Sequence, residues 1–385
     1  MNNVKKEVGV ITLHKVLNFG SVLQAYCTCI VLKRFGFEPQ IIDYMEPRYT
    51  IRGAIKNIFQ EAFSKKSNGS FPRKTLLPLM KTVSYAIQYW NFEKFTKKHL
   101  VITKQRYRTF DALLKTPPQA DIYLTGSDQI WNSEYNGGVD RAHFLDFTPM
   151  NKPRISYAAS FGKDKLRPEE VDETKELLSK YSAISVRESS GVNIVDGLGI
   201  SGAQQVLDPT LLLGREEWAR EFVLTRPKEQ RYLLIYSVER SLDDVVYSVA
   251  RKIADAKGLS VIFLSPAAKL KSMKHCDLQL PFSKVVDFLQ YFYYADFVVA
   301  SSFHGTAFAI NFNRQFVSVL PPRFGARPRS LLNLVNLNDR IVEGSDLDIN
   351  KISEPIDYLS VNQILVQERE KSLAFLESAL NKHSN

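Results

Sequence analysis

The sequence predicts an α/β protein of two domains, each built on a sheet of parallel strands. Short apolar runs rich in β-branched and aromatic residues alternate with segments of helical periodicity, which is the pattern of strand–helix–strand units. Polar residues gather where the predicted strands end, as they do around ligand sites in parallel sheets. At 385 residues the chain is too long for one ordinary core. We therefore expect two Rossmann-like domains that face each other across a cleft.

The first domain is predicted to span residues 1–226. It opens with an apolar strand, a loop and a helix that ends at Gly36, a residue type that commonly follows the last turn of a helix. Further strands follow, each ending in polar residues. The predicted strands are Val8–Leu13, Glu38–Tyr44, Asp121–Thr125, Ile155–Ala159 and Ala183–Val186, and the predicted helices are Val22–Phe35 and Pro168–Lys180.

The second domain is predicted to span residues 227–385, because the polar, proline-containing stretch Arg226–Gln230 reads as a boundary. The same alternation of strands and helices follows it, and the tail Asn362–Leu380 is an amphipathic helix. The predicted strands are Tyr232–Ser237, Leu259–Leu264, Phe297–Ala300 and Phe316–Leu320, and the predicted helices are Asp243–Lys257, Lys284–Tyr294, Thr306–Asn311 and Pro328–Leu337.

A strongly basic insertion interrupts the first domain at about residues 48–108. It holds fourteen lysines and arginines but two acids, a net charge of +12, so the rest of the chain carries −2 of the total +10. Apolar residues at helical spacing predict helices at Tyr49–Phe63 and Leu76–Phe95, with a polar hinge at Lys65–Lys74. Two interpretations stand equally: an anionic membrane surface, or a helical insertion whose basic face is solvated. Nucleic acid is not favoured, since no nucleic-acid motif accompanies the charge.

Composition and motifs exclude several classes of protein. Apolar content of 44% and charged content of 24% are typical of a soluble globular chain, and no apolar run is long enough to span a bilayer. Cys27, Cys29 and Cys276 form no disulfide or zinc pattern, which indicates a reducing, cytoplasmic compartment. The apolar stretch Val8–Leu13 is too short for a signal peptide and lacks a small-residue cleavage site. No dinucleotide or P-loop glycine motif, serine-hydrolase elbow or metal-binding histidine motif is present. We expect no metal and no cofactor.

The turn after the strand Phe297–Ala300 is the strongest candidate for chemistry. It carries Ser301, Ser302, His304 and Gly305 between a buried strand and a buried helix. The free N–H groups of a helix N-terminus suit an anion, and a histidine can transfer a proton near neutral pH. A structural histidine that caps a buried helix is the competing interpretation of His304.

Arginines near the predicted strand ends suggest an anionic substrate. Arg187 closes one strand of the first domain, and Arg323, Arg327 and Arg329 crowd the loop that follows the strand Phe316–Leu320. Arginine binds carboxylate and phosphate through paired hydrogen bonds. The loop therefore predicts a small ligand with several negative charges, with Arg327 favoured over its neighbours, at least one of which is expected to be a solvated surface residue.

Six motifs together resemble the polysaccharide pyruvyl transferase family over roughly residues 18–316. Each motif is weak alone, but their common order is specific. They are Asn18-Phe19-Gly20 with Leu23-Gln24-Ala25-Tyr26, Gly126-Ser127-Asp128-Gln129-Ile130-Trp131-Asn132, Ser156-Tyr157-Ala158-Ala159-Ser160-Phe161-Gly162, Ser185-Val186-Arg187-Glu188, Leu207-Asp208-Pro209-Thr210 and Ser302-Phe303-His304-Gly305-Thr306-Ala307-Phe308-Ala309.

The resemblance implies a GT-B-like fold and transfer of a pyruvyl group. Members of the family move the three-carbon unit of phosphoenolpyruvate onto a sugar as a cyclic ketal and release phosphate. Their products are capsule, exopolysaccharide or cell-wall glycans, often built on a polyprenyl diphosphate carrier. Such an acceptor would give the basic insertion a purpose at the inner face of the membrane. We expect a cytoplasmic enzyme that associates peripherally with that membrane.

This chemistry assigns expected roles to the candidate residues. His304 is expected to act as general acid or base or to hold the leaving phosphate, and Asp128 to accept a proton from the acceptor hydroxyl. Asp208, which precedes a proline, is expected to shape the turn between the domains. The phosphoenolpyruvate site is expected to comprise Arg187, Ser301, Ser302, Gly305, Arg323 and Arg327, and the acceptor site Asn18, Gly20, Ser127, Gln129, Asn132 and Tyr157.

Two other functions fit the same cleft. A GT-B glycosyltransferase would use a nucleotide sugar, although no clear ribose-binding glutamate follows the His304 helix. A non-catalytic protein that binds a glycan or a lipid would need only the scaffold.

Overall fold

The computed structural model describes residues 5–45, 47, 50–63, 71–229, 231–238, 240–268, 275–320, 325–344, 348–349, 352 and 354–383. Over these residues the chain forms two parallel sheets flanked by helices. We call the part built on the first sheet the first lobe and the part built on the second sheet the second lobe. The GT-B-like architecture of two facing Rossmann-like units is thereby confirmed.

The first lobe contains seven parallel strands and nine helices among the described residues. The strands are β1 (Glu7–Ile11), β2 (Glu38–Tyr44), β3 (Ile102–Tyr107), β4 (Ile122–Thr125), β5 (Arg154–Ala159), β6 (Ala183–Val186) and β7 (Gln204–Gln205). The helices are α1 (Phe19–Arg34), α2 (Ile51–Phe63), α3 (Phe71–His99), α4 (Phe110–Lys115), α5 (Ser133–Asn136), α6 (Val171–Leu178), α7 (Ser189–Gly197), α8 (Pro209–Leu212) and α9 (Arg215–Phe222). The strand order is β3-β2-β1-β4-β5-β6-β7.

The second lobe repeats this winding. Its strands are β8 (Tyr232–Tyr236), β9 (Ser260–Leu264), β10 (Leu278–Leu280), β11 (Phe297–Ala300), β12 (Gln315–Val319) and β13 (Ile341–Val342). Its helices are α10 (Asp243–Lys257), α11 (Val285–Tyr294), α12 (Phe303–Asn311), α13 (Ala326–Leu334) and α14 (Tyr358–Asn381). The strand order β10-β9-β8-β11-β12-β13 reproduces the order of the first six strands of the first lobe.

The predicted elements lie within a few residues of the observed ones, with differences inside the basic insertion and at α6. Strand β3 lies in a stretch for which the sequence predicts no strand, because its residues are mostly polar and it pairs on one side with β2 at the sheet edge. The predicted helix Pro168–Lys180 is a 3₁₀ turn at Pro168–Glu170 followed by α6. Much of the predicted hinge Lys65–Lys74 lies outside the described residues, which resume with α3 at Phe71.

The two lobes share one hydrophobic core. Its buried residues come from α1 and α8 of the first lobe and from α11 and α12 of the second. Phe19, the first residue of α1, stacks on Phe288 of α11 with ring centroids 4.9 Å apart. Helix α1 is therefore buried on almost every side, which explains why Cys27 and Cys29 are both buried although they point to different faces.

The last helix returns to the first lobe. Ser372 of α14 accepts a hydrogen bond from the backbone N–H of Leu207 at 2.9 Å, and His383 lies 3.1 Å from the hydroxyl of Ser182. The predicted boundary at Arg226–Gln230 falls between β7 and β8, and α14 spans both lobes. None of the described helices combines the length and the hydropathy needed to cross a bilayer.

Candidate functional site

The site is built where the winding of each sheet reverses direction. In the first lobe this point lies between β1 and β4, and in the second between β8 and β11. Crevices at the carboxyl ends of such strands are where parallel sheets bind ligands. The loops after these four strands face each other between the lobes and hold most of the candidate residues.

Hydroxyl side chains join the two strands at each reversal point. In the first lobe Thr12, after β1, donates to the carbonyl oxygen of Ser127, after β4, at 3.1 Å. In the second lobe the hydroxyl of Ser301, after β11, donates to that of Ser237, after β8, at 3.0 Å. Ser301 therefore supports the loop, whereas the prediction placed it in the donor site.

His304 lies in the first turn of α12 and contacts the first lobe directly. Its side chain is 7% exposed, and a Cβ placed on Gly20 would lie 2.0 Å from the imidazole Cγ. Only a residue without a side chain allows α1 to approach the ring so closely. The structure thus brings together Gly20 and His304, which the sequence placed on opposite rims of the cleft.

Asp208 is the central acid of the site. Its Oδ2 accepts hydrogen bonds from Ser127 Oγ and from Arg187 Nη1, each at 2.8 Å, and lies 3.8 Å from Nε2 of His304. Its Oδ1 accepts from the backbone N–H of Thr210 at 2.9 Å, which caps α8. Burial acts to raise the pKa of Asp208, but His304 and Arg187 outweigh it and hold that pKa far below its ordinary value.

The prediction that Asp208 only shapes the turn between the domains is incomplete. The residue caps α8, as a turn-forming aspartate would, and it also holds the guanidinium of Arg187 and faces the imidazole of His304. It stays charged in the folded protein because its pKa is lowered. A buried negative charge beside an imidazole can stabilise the imidazolium that forms during proton transfer.

Asp128 occupies the other side of the site in a strained backbone conformation. Its φ is +76°, in the left-handed region that few non-glycine residues adopt. Ser21 of α1 donates a hydrogen bond to its carboxylate, and Arg187 Nη2 lies 3.6 Å from Oδ1. Burial acts to raise the pKa of Asp128, but the charges of His304 and Arg187 lower it overall.

Arg187 is buried between acids and an aromatic ring. Its guanidinium lies 4.1 Å from the ring centre of Phe303, and Nη1 binds Asp208. Nε and Nη2 have no hydrogen-bond partner among the described residues, and the same holds for Nε2 of His304. Burial acts to lower the pKa of Arg187, but Asp208 and Asp128 raise it above its ordinary value.

Arg327 extends this set of cations from the second lobe. It is the second residue of α13, and its Nε is buried without a hydrogen-bond partner among the described residues. Burial and the nearby charge of Arg187 lower its pKa to about 10. With its oxygen turned toward the arginine, the carboxamide of Gln129 accepts from Nη2 at 2.8 Å and from Nη1 at 3.2 Å. A second negative group beside Arg327 would offset the repulsion from Arg187.

A cleft of about 740 Å³ between the lobes is lined by sequence neighbours of this cluster, such as Ser189 and Ala326, and not by its charged residues. Residues of the first lobe, including Gly162, Lys163 and Ser189, line one wall, and Gly325 and Arg329 of the second lobe line the other. Arg329 pairs with Glu343 and is about half exposed, which fits the expectation that one arginine of this loop is a surface residue. The volume is sufficient for a small ligand together with part of a sugar.

Several predicted site residues support the loops instead. Asn18 caps α1 and accepts from the backbone N–H of Gly20 at 2.9 Å, and Ser302 caps α12 and accepts from that of Gly305 at 3.0 Å. Asn132 caps α5, and its side-chain nitrogen lies 2.7 Å from the carboxamide of Gln129.

Two other predicted residues fill tightly packed positions. A Cβ on Gly305 would lie 2.9 Å from that of Ala300, so Gly305 allows α12 to pack on its strand. Tyr157 is fully buried and donates to Leu207 O at 3.1 Å, which places it in the core and away from an acceptor sugar.

Two groups in the site have no counterpart in the predictions, and one prediction lies outside the described residues. Glu188 is buried beside Arg187, and Ser160 donates to its carboxylate at 2.7 Å. Ser21 binds Asp128 from the first turn of α1. A polar residue directly after a strand, or at the start of a helix that follows one, is the signal that could have identified them. Arg323 lies outside the described residues.

No group of three or more histidine, cysteine, aspartate or glutamate side chains in the described part of the chain could hold a metal ion. The charged groups of the site instead alternate in sign. Arg187 and Arg327 lie among Asp128, Asp208 and Glu188, with His304 at the centre. Such an arrangement can bind an anion and transfer a proton.

Comparison with known proteins gives one family match. The profile of the polysaccharide pyruvyl transferase family matches residues 18–321. A search of curated proteins finds no match.

Similar solved structures include a UDP-GlcNAc 2-epimerase from Neisseria meningitidis bound to UDP-GlcNAc. It is 9% identical, with 98% of this chain and 100% of that chain covered and a TM-score of 0.49. The UDP-GlcNAc 2-epimerase from Methanocaldococcus jannaschii is 13% identical, with 91% and 90% covered and a TM-score of 0.44.

Proposed function

Since this chain belongs to the polysaccharide pyruvyl transferase family, we propose that it transfers pyruvate from phosphoenolpyruvate to a sugar of a surface polysaccharide or of its lipid-linked precursor. The observation that carries this proposal is a set of buried nitrogen atoms without a hydrogen-bond partner among the described residues: Nε and Nη2 of Arg187, Nε of Arg327 and Nε2 of His304. These donors match a small ligand with a carboxylate and a phosphate, because each anionic oxygen accepts charged hydrogen bonds.

In the proposed complex, Arg187 and Arg327 hold the donor between the lobes. Arg187 is fixed by Asp208 and by the ring of Phe303, so its Nε and Nη2 keep their direction when the donor binds. Arg327 approaches from the start of α13, whose N-terminal N–H groups also suit a negative charge. This preorganisation lowers the free energy needed to orient two anionic groups.

The proposed chemistry begins with proton transfer to the methylene carbon of the donor. His304 gives that proton, the double bond becomes a methyl group, and positive charge develops at the carbon that bears the phosphate oxygen. Asp208 stabilises the protonated imidazole before the transfer, because its carboxylate stays charged 3.8 Å from Nε2. A positioned acid of this kind contributes about 10²–10⁴-fold to the rate.

Two hydroxyls of the sugar then attack the same carbon in turn. The first forms a C–O bond and gives its proton to Asp128, which we propose as the base and which contacts Arg187 as Asp208 does. The C–O bond to phosphate breaks and phosphate leaves, and the second hydroxyl closes the ketal and gives its proton to His304, which is thereby restored. Carbon and phosphorus are conserved and no oxidation occurs, so the proposed reaction requires phosphoenolpyruvate but no redox cofactor.

The acceptor is proposed to enter along the wall formed by the first lobe. Gln129 is the predicted acceptor residue that we assign to this wall, since it contacts Arg327 and borders Gly162, which lines the cleft. Ser127 holds Asp208 and therefore orients the site. We propose that the enzyme works in the cytoplasm, in keeping with its three free cysteines.

The proposal is tested by measuring phosphate release from phosphoenolpyruvate with a panel of sugar and lipid-linked sugar acceptors. Release that depends on an acceptor, with formation of a ketal seen by mass spectrometry, is the expected result. His304→Ala is expected to reduce the rate at least 100-fold, because the proton donor is lost. His275→Ala, at an exposed histidine of the second lobe, is the matched control and keeps the rate.

Two outcomes would contradict the proposal. One is the formation of a glycosidic bond from a UDP-sugar without use of phosphoenolpyruvate, which would identify a glycosyltransferase. The other is phosphate release by His304→Ala at the rate of the unaltered protein, which would remove His304 from the mechanism.

A further inference from the structure

The basic insertion exposes a continuous apolar stripe along α3. Leu76, Met80, Val83, Ile87 and Trp90 follow one another at intervals of three or four residues, so they lie on one face of the helix. Their exposed fractions are 58%, 51%, 54%, 38% and 62%. At 1.5 Å per residue the stripe is about 21 Å long. A stripe of this kind on a water-soluble surface marks an interaction site.

The exposed apolar side chains of the described chain are concentrated on this insertion. Sixteen large apolar side chains are exposed in the described chain, and eight of them lie from Phe63 to Trp90. The C-terminal end of α3 packs on the rest of the protein, with Phe92, Phe95 and Thr96 buried. Helix α3 is therefore buried at its C-terminal end, and the described part of the chain leaves the apolar stripe before that end 38–62% exposed.

Positive charge continues this face toward the end of the helix. Lys94, Lys97 and Lys98 are exposed on the turns that follow Trp90. The two acids of the insertion are already paired, Glu61 with Lys81 at 3.6 Å and Glu93 with Lys97 at 3.4 Å. The insertion as a whole keeps its net charge of +12. The occupant of the stripe is therefore expected to be both apolar and anionic.

From these features we propose that α3 lies on an anionic lipid bilayer, with the stripe from Leu76 to Trp90 in the headgroup region. Lysine side chains reach from such a position to lipid phosphates, and tryptophan favours the boundary between headgroups and acyl chains. A second copy of the chain fits less well, because two segments with a charge of +12 repel each other. The proposal extends beyond the pyruvyl transfer described above and does not depend on it.

The root of the insertion fixes its orientation relative to the cleft. Phe92 stacks on Phe19 of α1 with ring centroids 5.3 Å apart, and Asn91 donates to Phe282 O in the second lobe at 2.9 Å. Because α3 is held by both lobes, a bilayer on its exposed face would hold both lobes at a fixed distance from the lipid.

Sedimentation of the full chain with vesicles tests this proposal. Vesicles of phosphatidylcholine with 30% phosphatidylglycerol are expected to bind the protein at least tenfold more tightly than vesicles of phosphatidylcholine alone, and salt is expected to weaken the binding. The double variant Val83→Asp/Ile87→Asp is expected to lose at least tenfold in affinity. Met150→Asp, at a residue that is 99% exposed outside the insertion, is the matched control and keeps the affinity.

Other outcomes overturn the proposal. One is that the unaltered protein does not bind anionic vesicles at physiological salt. Another is that the double variant binds them as tightly as the unaltered protein. The third is that neither protein binds vesicles and the unaltered protein forms a concentration-dependent dimer that the double variant does not form. Circular dichroism verifies that the double variant folds, as expected for exposed positions. Phosphate release with a water-soluble acceptor is measured in parallel, so that failure of membrane binding is distinguished from failure of the proposed transferase activity.

Discussion

The contact between Gly20 and His304 shows how one residue without a side chain brings the two lobes together. Gly20 lies in the first turn of α1 and His304 in the first turn of α12, so each lobe contributes the start of a helix. The space for a Cβ on Gly20 is occupied by the imidazole. The position of the ring is therefore set by the opposite lobe as well as by its own helix.

Gly20→Ala is expected to reduce catalytic turnover about 100-fold, since displacement of a reacting group by about 1 Å has an effect of that size. The added methyl group would lie 2.0 Å from Cγ of His304, so either the ring or α1 must move. The phosphate-release assay measures the effect. Gly197→Ala is the control, because a Cβ there meets nothing within 4 Å. Unchanged turnover in Gly20→Ala would show that the contact does not position the ring.

At the scale of single residues, the sequence predicted the site in part. His304, Arg187 and Asp128 follow strands, and they do meet. Asp208 caps α8, and this local role is enough to explain an aspartate at that position. Its contact with His304 forms only when the two lobes come together, so the sequence does not reveal it. Asn18 and Ser302 illustrate the reverse case, since capping already uses their side-chain oxygens.

At the scale of elements, the loop before α6 is held by a buried carboxylate. Glu170 accepts hydrogen bonds from Ser133, Lys163 and Arg167, and so joins α5 to the 3₁₀ turn and to the wall of the cleft. Its side chain is 4% exposed. Burial acts to raise its pKa, but these three partners lower it to about 2.

Because the pKa of Glu170 is lower in the folded state than its ordinary value of 4.5, its contribution to stability is complete above pH 4.5 and is lost as the pH falls toward 2. We expect the unaltered protein to lose about 1 kcal/mol of unfolding free energy from this group between pH 6 and pH 3.5. Glu170→Gln is expected to lack this component.

Urea unfolding of the two proteins at pH 6 and at pH 3.5 measures the difference. The difference in unfolding free energy between the unaltered protein and Glu170→Gln should be smaller at pH 3.5 than at pH 6. For Glu169→Gln, at a neighbour that is 65% exposed, the difference from the unaltered protein should be the same at both pH values. A gap for Glu170→Gln that does not change with pH would refute the interpretation.

Buried strands could be predicted from the sequence, whereas exposed edge strands could not. Strands such as β4 and β11 are buried along their whole length and appear in the sequence as apolar runs. Strand β3 is an edge strand with exposed lysine, glutamine and arginine, so no periodicity distinguishes it from a loop. Short edge strands β10 and β13 carry two or three residues each, too few for a pattern.

At the scale of the whole molecule, α14 connects the lobes beside the site. Arg369 donates to Leu211 O in α8 at 2.6 Å and to Asn311 Oδ1 in α12 at 2.9 Å. Asn311 in turn donates to Thr210 O at 3.0 Å. The guanidinium of Arg369 therefore links α14 to α8 and α12. Asp208 caps the start of α8, and His304 lies in the first turn of α12. The arrangement of the lobes was not predictable in this detail, since these partners are far apart in sequence.

Arg369→Met is expected to lower the free energy of unfolding by about 1–3 kcal/mol, because it leaves buried oxygens without donors while keeping most of the apolar stem. Urea unfolding measures the loss. Lys371→Met, at a half-exposed position of the same helix, is expected to change stability by less than about 0.5 kcal/mol. Equal effects of the two substitutions would contradict the assigned role of Arg369.

The stack of Phe92 on Phe19 has a mechanical consequence. Phe19 precedes Gly20 and also packs on Phe288 of the second lobe. A tilt of α3 against its surroundings must therefore displace the ring of Phe19, and with it the backbone on which the imidazole of His304 rests. Two contacts thus connect the outer helix to the histidine of the site, one between Phe92 and Phe19 and one between the adjacent Gly20 and His304.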